Sequence, residues 1–90
     1  DHYSEAIRIT PYYFAAYNNR GIAYAKRGQY KPAIESFSEA IRLKPDHVEA
    51  YHTRGIAYFK EGQNKPGCLD AKKSCELGNC RLLEAAGYCR

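Results

Sequence analysis

The sequence predicts an all-α protein made of antiparallel helix pairs that stack side by side and end in a short capping helix. Three observations lead to this fold class. The chain repeats itself with a period of 34 residues, each copy places apolar residues at helical spacing, and glycine or proline stands where helices would end. Periods of this length are typical of helical solenoids, in which a unit buries its apolar face only against a neighbour.

The repeat is clearest in the middle of the chain. Residues 16–32 and 50–66 are identical at 12 of 17 positions, and both copies contain the segment Arg-Gly-Ile-Ala-Tyr. The segment Ser-Glu-Ala-Ile-Arg at 4–8 returns in the same register at 38–42. We therefore interpret the 90 residues as a single domain with four parts: the second helix of a truncated repeat (1–11), a full repeat (14–47), a divergent repeat (48–79) and a cysteine-containing cap (80–90).

The first helix of the full repeat is predicted from the spacing of its small and aromatic residues. Tyr17, Gly21 and Tyr24 fall on one helical face, where they would meet a partner helix. Gly28 predicts the end of this helix, because glycine adopts the left-handed backbone conformation of a helix terminus at little cost.

The second helix of the full repeat is bounded by two prolines. It is predicted to start near Tyr30, with Pro32 in its first turn, where a missing N–H is tolerated. It carries an apolar stripe and should end after Leu43, ahead of Pro45. In the second copy several of these positions change after residue 66. A short apolar segment at 82–86 then predicts a helix that covers the open end of the array.

The order of aromatic, glycine, alanine and proline residues resembles the tetratricopeptide repeat. The positions that carry the resemblance are Tyr17, Gly21, Tyr24, Gly28, Tyr30, Ala33, Phe37, Ala40 and Pro45. One position departs from it, since the usual leucine before the first glycine is Arg20, and Arg54 in the copy. The resemblance implies a right-handed superhelix that serves as a protein-binding scaffold and not as an enzyme. The cysteine-containing end is similar to the C-termini of some bacterial members, which implies a bacterial source.

The resemblance also implies that the first helix of each pair lines a concave groove for a peptide or partner protein. The expected groove residues are Asn18, Asn19, Ile22, Lys26, His52, Thr53, Ile56, Phe59 and Lys60. Asn19 lies where some relatives hold a peptide backbone. The carboxylate clamp of chaperone-binding members is not supported, because an isoleucine stands at a clamp position in both repeats. The alternative interpretation is a structural cap or self-association module of a longer array.

Four cysteines, Cys68, Cys75, Cys80 and Cys89, lie in the C-terminal third. On one helix Cys68 and Cys75 would be about 10.5 Å apart, too far for a disulfide. A helical hairpin turning at 78–79 favours the nested pairs Cys68–Cys89 and Cys75–Cys80. Such pairs would suit a periplasmic or secreted protein, whereas in the cytoplasm the cysteines would be buried thiols. Their spacing is a poor match to a zinc site.

Composition argues against several other classes of function. The net charge of +4 is spread along the chain, without the basic cluster of a nucleic-acid-binding protein. No apolar run is long enough to span a membrane. We also find no catalytic constellation and expect no cofactor or metal. Tyr3, Ile7 and Ile9 would lack a partner helix at the N-terminus, so we expect homo-oligomers to form through that truncated repeat.

Overall fold

A computed structural model describes residues 13–87 and residue 89, and in these residues it contains five helices and no strand. The helices are α1 (Phe14–Lys26), α2 (Tyr30–Leu43), α3 (Val48–Lys60), α4 (Asn64–Glu76) and α5 (Arg81–Ala85). The predicted all-α fold with a short C-terminal helix is therefore confirmed. The helix predicted at 1–11, and with it the expected route to homo-oligomers, lies outside the described residues.

The helices pack as two pairs. Helix α1 packs mainly on α2, α3 packs mainly on α4, and the contact between α2 and α3 joins the pairs. The short helix α5 lies against α4 and α3. This arrangement places α1 and α3, the first helices of the two pairs, side by side.

Glycine ends both first helices in the same way. In α1 the N–H of Gly28 donates to the carbonyl of Ala25 (3.0 Å), and the N–H of Gln29 donates to that of Tyr24 (2.9 Å). This pattern requires a left-handed residue, and Gly28 has a φ of 75°. The same two bonds recur one repeat later at Gly62, which has a φ of 76°. The turn chemistry is thus repeated together with the sequence.

The first pair is held at close range by a glycine facing an aromatic ring. Phe37 of α2 is fully buried, and a Cβ added at Gly21 of α1 would lie 2.5 Å from its Cε1 atom. Ala33 of α2 and Ala57 of α3 complete the buried cluster around this ring. The ring therefore links α1 and α2 to the first helix of the following pair.

The second pair also places a glycine against an aromatic ring, with the large residue on the other helix. Its ring belongs to Phe59 of α3, and a Cβ added at Gly67 of α4 would lie 2.7 Å from the Cε1 atom of that ring. At the position equivalent to Phe37, α4 has the buried Ala71. Relative to the first pair, then, the aromatic ring has moved from the second helix to the first, and the second helix has lost bulk to accommodate it.

The short helix α5 closes the end of the second pair. The Cδ2 atom of Leu82 would lie 2.6 Å from a Cβ added at Gly55 of α3, so the leucine occupies the space beside this glycine. The turn before α5 is held by the buried Ser74, whose hydroxyl donates to the Asn79 carbonyl (2.8 Å). The Asn79 side chain then accepts a hydrogen bond from the Arg81 N–H (3.1 Å).

The contact between Gly21 and Phe37 predicts that Gly21→Ala destabilises the protein. Alanine is the better helix former, but its methyl group would overlap the Phe37 ring. We expect the free energy of unfolding to fall by about 1–3 kcal/mol, measured by urea denaturation with circular dichroism.

Gly87→Ala is the matched control, because nothing lies within 4 Å of a Cβ at that position. It should change the free energy of unfolding by less than about 0.5 kcal/mol. In the double variant Gly21→Ala/Phe37→Leu, the free energy of unfolding should fall by less than the sum of the two single effects, because the smaller leucine leaves room for the alanine methyl group. A Gly21→Ala protein as stable as the wild type would refute the close approach.

Candidate peptide-binding groove

A pocket of about 260 Å³ opens between α1, α2 and α3. Its wall consists of residues from the two first helices and its floor of the buried cluster beneath them. The lining residues are Ile22, Ala25, Lys26, Tyr30, Phe37, Thr53, Ile56, Ala57 and Lys60. The pocket is thus the open side of the core between the two helix pairs.

Five of the predicted groove residues line this pocket, and four of them form repeat-related pairs. Ile22 and Ile56 are equivalent in the two repeats, and so are Lys26 and Lys60, which are both exposed. The fifth is Thr53, whose hydroxyl donates to the Glu49 carbonyl of its own helix (2.9 Å). The lining also includes Tyr30 and Ala57, which sequence reasoning assigned to the scaffold or left out.

Asn18 is placed differently from the prediction. It is 3% exposed, and its amide donates to the carboxylate Oε1 of Glu49 on α3 (3.0 Å). Its own carbonyl oxygen lies 3.5 Å from the Thr53 hydroxyl. Asn18 therefore connects the two first helices and is not exposed to a ligand. A buried amide with two polar neighbours is the arrangement expected when polar groups are satisfied inside a protein.

Three further predicted residues do not line the pocket. The Phe59 ring packs against Gly67 inside the second helix pair, which corrects its predicted position in the groove. Asn19 is partly buried on α1 outside the lining. His52 lies on α3, where burial first and the positive charge of Arg81 second lower the pKa of its imidazole. His52 is consequently neutral near pH 7 and adds no charge to this surface.

An ion pair in the second helix pair was missed by sequence reasoning. The guanidinium of Arg54 donates from Nε and Nη2 to the two carboxylate oxygens of Asp70, both at 2.7 Å. Its third nitrogen, Nη1, donates to the hydroxyl of Ser38 on α2 (3.0 Å). Asp70 is 4% exposed, and its hydrogen bonds are the main reason the pKa of Arg54 is raised despite burial.

The first pair contains a weaker version of the same contact. Nε of Arg20 donates to the hydroxyl of Ser36 (3.0 Å), and the guanidinium lies 5.4 Å from the centre of the Tyr17 ring. In both pairs the arginine and its partner are 16 residues apart. The sequence therefore did contain a signal for this contact. An arginine precedes the helix glycine (Gly21 or Gly55) in both repeats, and a polar residue follows the arginine 16 positions later.

The four cysteines lie as two pairs at disulfide distance. Cys68 pairs with Cys89 at a Cα separation of 5.3 Å, and Cys75 pairs with Cys80 at 3.9 Å. Both separations are below the limit of roughly 7 Å for a disulfide. The first pair ties the buried Cys89, beyond α5, to helix α4, and the second spans the turn between α4 and α5.

Residues 13–87 and 89 contain neither a metal-binding cluster nor a membrane-spanning helix. That part of the chain contains no group of three or more histidine, cysteine, aspartate or glutamate residues able to hold a metal ion. Across the same stretch, every helix is too short or too polar to cross a membrane.

Paired helices joined by glycine turns, with a concave pocket between the first helices, define a helical solenoid. Two family profiles identify its type: one described as TPR repeat matches residues 23–62, and one described as tetratricopeptide repeat matches residues 2–35. The chain belongs to the tetratricopeptide repeat family. Proteins of this family are generally scaffolds without enzymatic activity.

Solved structures have the same fold. Two crystal structures of MamA match 83% of the chain at 31% sequence identity, with TM-scores of 0.79 and 0.80. The first TPR of Spaghetti (RPAP3), bound to the HSP90 peptide SRMEEVD, matches 97% of the chain and 71% of its own length at 22% identity, with a TM-score of 0.91. The chain spans 41% and 44% of the MamA chains. No curated protein gives a significant match to the sequence.

The ion pair between Arg54 and Asp70 predicts a large effect of Asp70→Ala. Without the carboxylate, an arginine whose side chain is only 19% exposed would lose both of its charged bonds. We expect the free energy of unfolding to fall by about 3 kcal/mol, at the lower end of the cost of breaking a buried pair. Glu39→Ala is the control, since it removes the partner of Arg42 in an exposed pair and should cost less than about 1 kcal/mol. Equal effects of the two variants would contradict a structural role for Asp70.

The cysteine geometry predicts two cross-links in oxidised protein. Peptide mapping without reductant should recover Cys68 joined to Cys89 and Cys75 joined to Cys80. Replacing each pair by serines should lower the free energy of unfolding, by about 3 kcal/mol for Cys68–Cys89 and about 2 kcal/mol for Cys75–Cys80. The first cost is larger because that bond closes the longer loop (21 against 5 residues of separation). Alkylation of four thiols in the native, untreated protein would show that neither bond forms.

Proposed function

We propose that this chain is a protein-interaction module whose concave groove, centred on the pocket between α1 and α3, binds a peptide segment of a partner protein. The observation that carries the proposal is the pocket itself. Ile22 and Ile56 stand at equivalent positions of the two repeats and line one opening above the buried core. Ile56 is 37% exposed, which leaves apolar surface for a ligand to cover.

The size of the pocket supports a peptide over a small-molecule cofactor. Cofactor and drug pockets usually measure roughly 300–1,000 Å³ and enclose most of the ligand. A pocket of about 260 Å³ that opens along two helices suits one or two apolar side chains of a longer chain. The first TPR of Spaghetti (RPAP3), which shares the fold, holds a peptide, and this agrees with the proposal.

Residues 80–90 serve as the end cap of the repeat array in this proposal, with 14–47 as the full repeat and 48–79 as the divergent one. Leu82 covers Gly55, and Cys89 is buried beside α4, so α5 occupies a face on which a further repeat would otherwise stack. Terminal units of solenoids need such cover. The cap complements the groove, because it leaves the pocket between α1 and α3 open.

The groove proposal predicts that Ile56→Lys weakens peptide binding. Peptides would be selected from a random displayed library on the wild-type protein and then measured on purified variants by fluorescence anisotropy. A lysine at position 56 would place a charge in the apolar pocket, so we expect binding to weaken by at least about 10-fold, corresponding to about 1.4 kcal/mol.

Leu69→Lys is the matched control. Leu69 is a similar aliphatic residue on α4, 63% exposed and outside the pocket lining, so the same substitution should leave peptide binding unchanged. Circular dichroism would verify that both variants remain folded. Selected peptides that bind the Ile56→Lys and wild-type proteins equally would place the binding surface elsewhere and refute the groove.

A further inference from the structure

The charges around the pocket indicate what kind of peptide it would take; this inference rests on the proposed function. We infer that the pocket accepts an aliphatic side chain from an internal peptide segment with acidic residues on both sides of that side chain. The ligand class is thus an acidic segment with a single apolar anchor. Neither a basic segment nor a free C-terminus is required.

The apolar part of the inference comes from the pocket wall. The side chains of Ile22, Ala25, Ile56 and Ala57 offer only carbon atoms, and Phe37 forms part of the floor. The hydroxyl of Thr53 donates its hydrogen to the carbonyl of Glu49 on the same helix, so it does not offer a ligand a donor. Apart from the hydroxyls of Tyr30 and Thr53 and the lysines at the rim, the lining offers a polar ligand group no partner, whereas an aliphatic group would be stabilised by burial.

The acidic part comes from the pocket rim. Lys26 ends α1 and Lys60 ends α3, and both lysines are exposed and belong to the lining. Within residues 13–87 and 89, neither lysine forms an ion pair. The two cations stand on opposite helices, so a segment lying across the pocket would meet one on each side of its anchor.

Negative charge on the same helices lies outside the pocket lining. Helix α1 contains no aspartate or glutamate, and α3 contains only Glu49, in its first turn, where it bonds Asn18. Glu61 is the residue directly after Lys60, in the turn that follows α3, and it is not part of the lining. On the same two helices, Arg20 donates to Ser36 and Arg54 donates to Asp70, and neither arginine lines the pocket. The rim is therefore positive, which favours carboxylates in the ligand.

The test uses short fluorescent peptide amides with a central leucine. One carries two glutamates on each side of the leucine, a second carries lysines there, a third carries glutamines, and a fourth replaces the leucine by serine. We expect the wild-type protein to bind the glutamate peptide most tightly, with at least about 10-fold weaker binding of the lysine and serine peptides. A version with a free C-terminal carboxylate should bind no better than the amide.

Variants at the rim identify the charges involved. Lys26→Ala and Lys60→Ala should each weaken binding of the glutamate peptide by about 2–5-fold, as expected for exposed ion pairs, and leave the glutamine peptide unchanged. Lys72→Ala is the matched control, because Lys72 is exposed on α4 outside the pocket. Binding of the glutamate peptide should also weaken as salt is raised.

The outcomes separate this inference from the proposed function. If the selected library peptides lose affinity for the Ile56→Lys protein but are basic or neutral, the groove is supported and the acidic ligand is overturned. A glutamate peptide that does not bind the wild-type protein would also overturn the acidic ligand. A strict need for a free C-terminus would overturn the internal segment. Light scattering that shows a dimer in the wild type and a monomer in Ile56→Lys would make a second copy of the chain the occupant, again overturning the inference.

Discussion

The close approach of paired helices is the constraint on which the remainder of this structure depends. In the first pair, Gly21 lets the ring of Phe37 come against the backbone of α1. Because that ring also packs with Ala57 of the next first helix, the same contact sets the distance between the pairs. The second pair has the aromatic residue on the opposite helix, at Phe59 facing Gly67. In both pairs a glycine makes room for a ring, so the kind of contact is kept although its residues differ.

Polar contacts add orientation to this packing. At a position usually occupied by leucine, each pair has an arginine that reaches across to the second helix, and Arg54 also reaches back to Ser38 of the preceding pair. Hydrogen bonds from a planar guanidinium are directional, so they favour one rotation of the helices over others that would bury similar apolar area. Asn18 and Glu49 connect the two first helices in the same manner. The groove is thereby supported on rigid elements, which is what a binding surface needs to avoid a large ordering cost.

The pocket is a consequence of this stacking. First helices that lie side by side leave an opening above the core, and equivalent residues of the two repeats are part of its lining. Apolar residues at the centre and lysines at the helix ends then provide a surface with an apolar middle and a positive rim. Lysine is favoured at a helix C-terminus by the helix dipole, so its position at the rim also suits the helices themselves. At the other end of the second pair, Leu82 of α5 occupies the space beside Gly55.

Periodicity was enough to predict the helices and their glycine ends, because those features depend on residues near one another in the chain. The family was predicted from the resemblance of the repeated motif. The 34-residue repeat also placed Ile22 beside Ile56 and Lys26 beside Lys60, since equivalent residues of stacked units face the same way. Three features were decided only by the tertiary structure. They are the burial of Asn18, the packing of Phe59 inside the second pair and the ion pair between Arg54 and Asp70. Spacing along the sequence assigns residues only to a broad face of a helix. Whether a given residue on that face packs against a neighbouring helix or is exposed to solvent depends on how the helices cross and on the volume opposite its side chain.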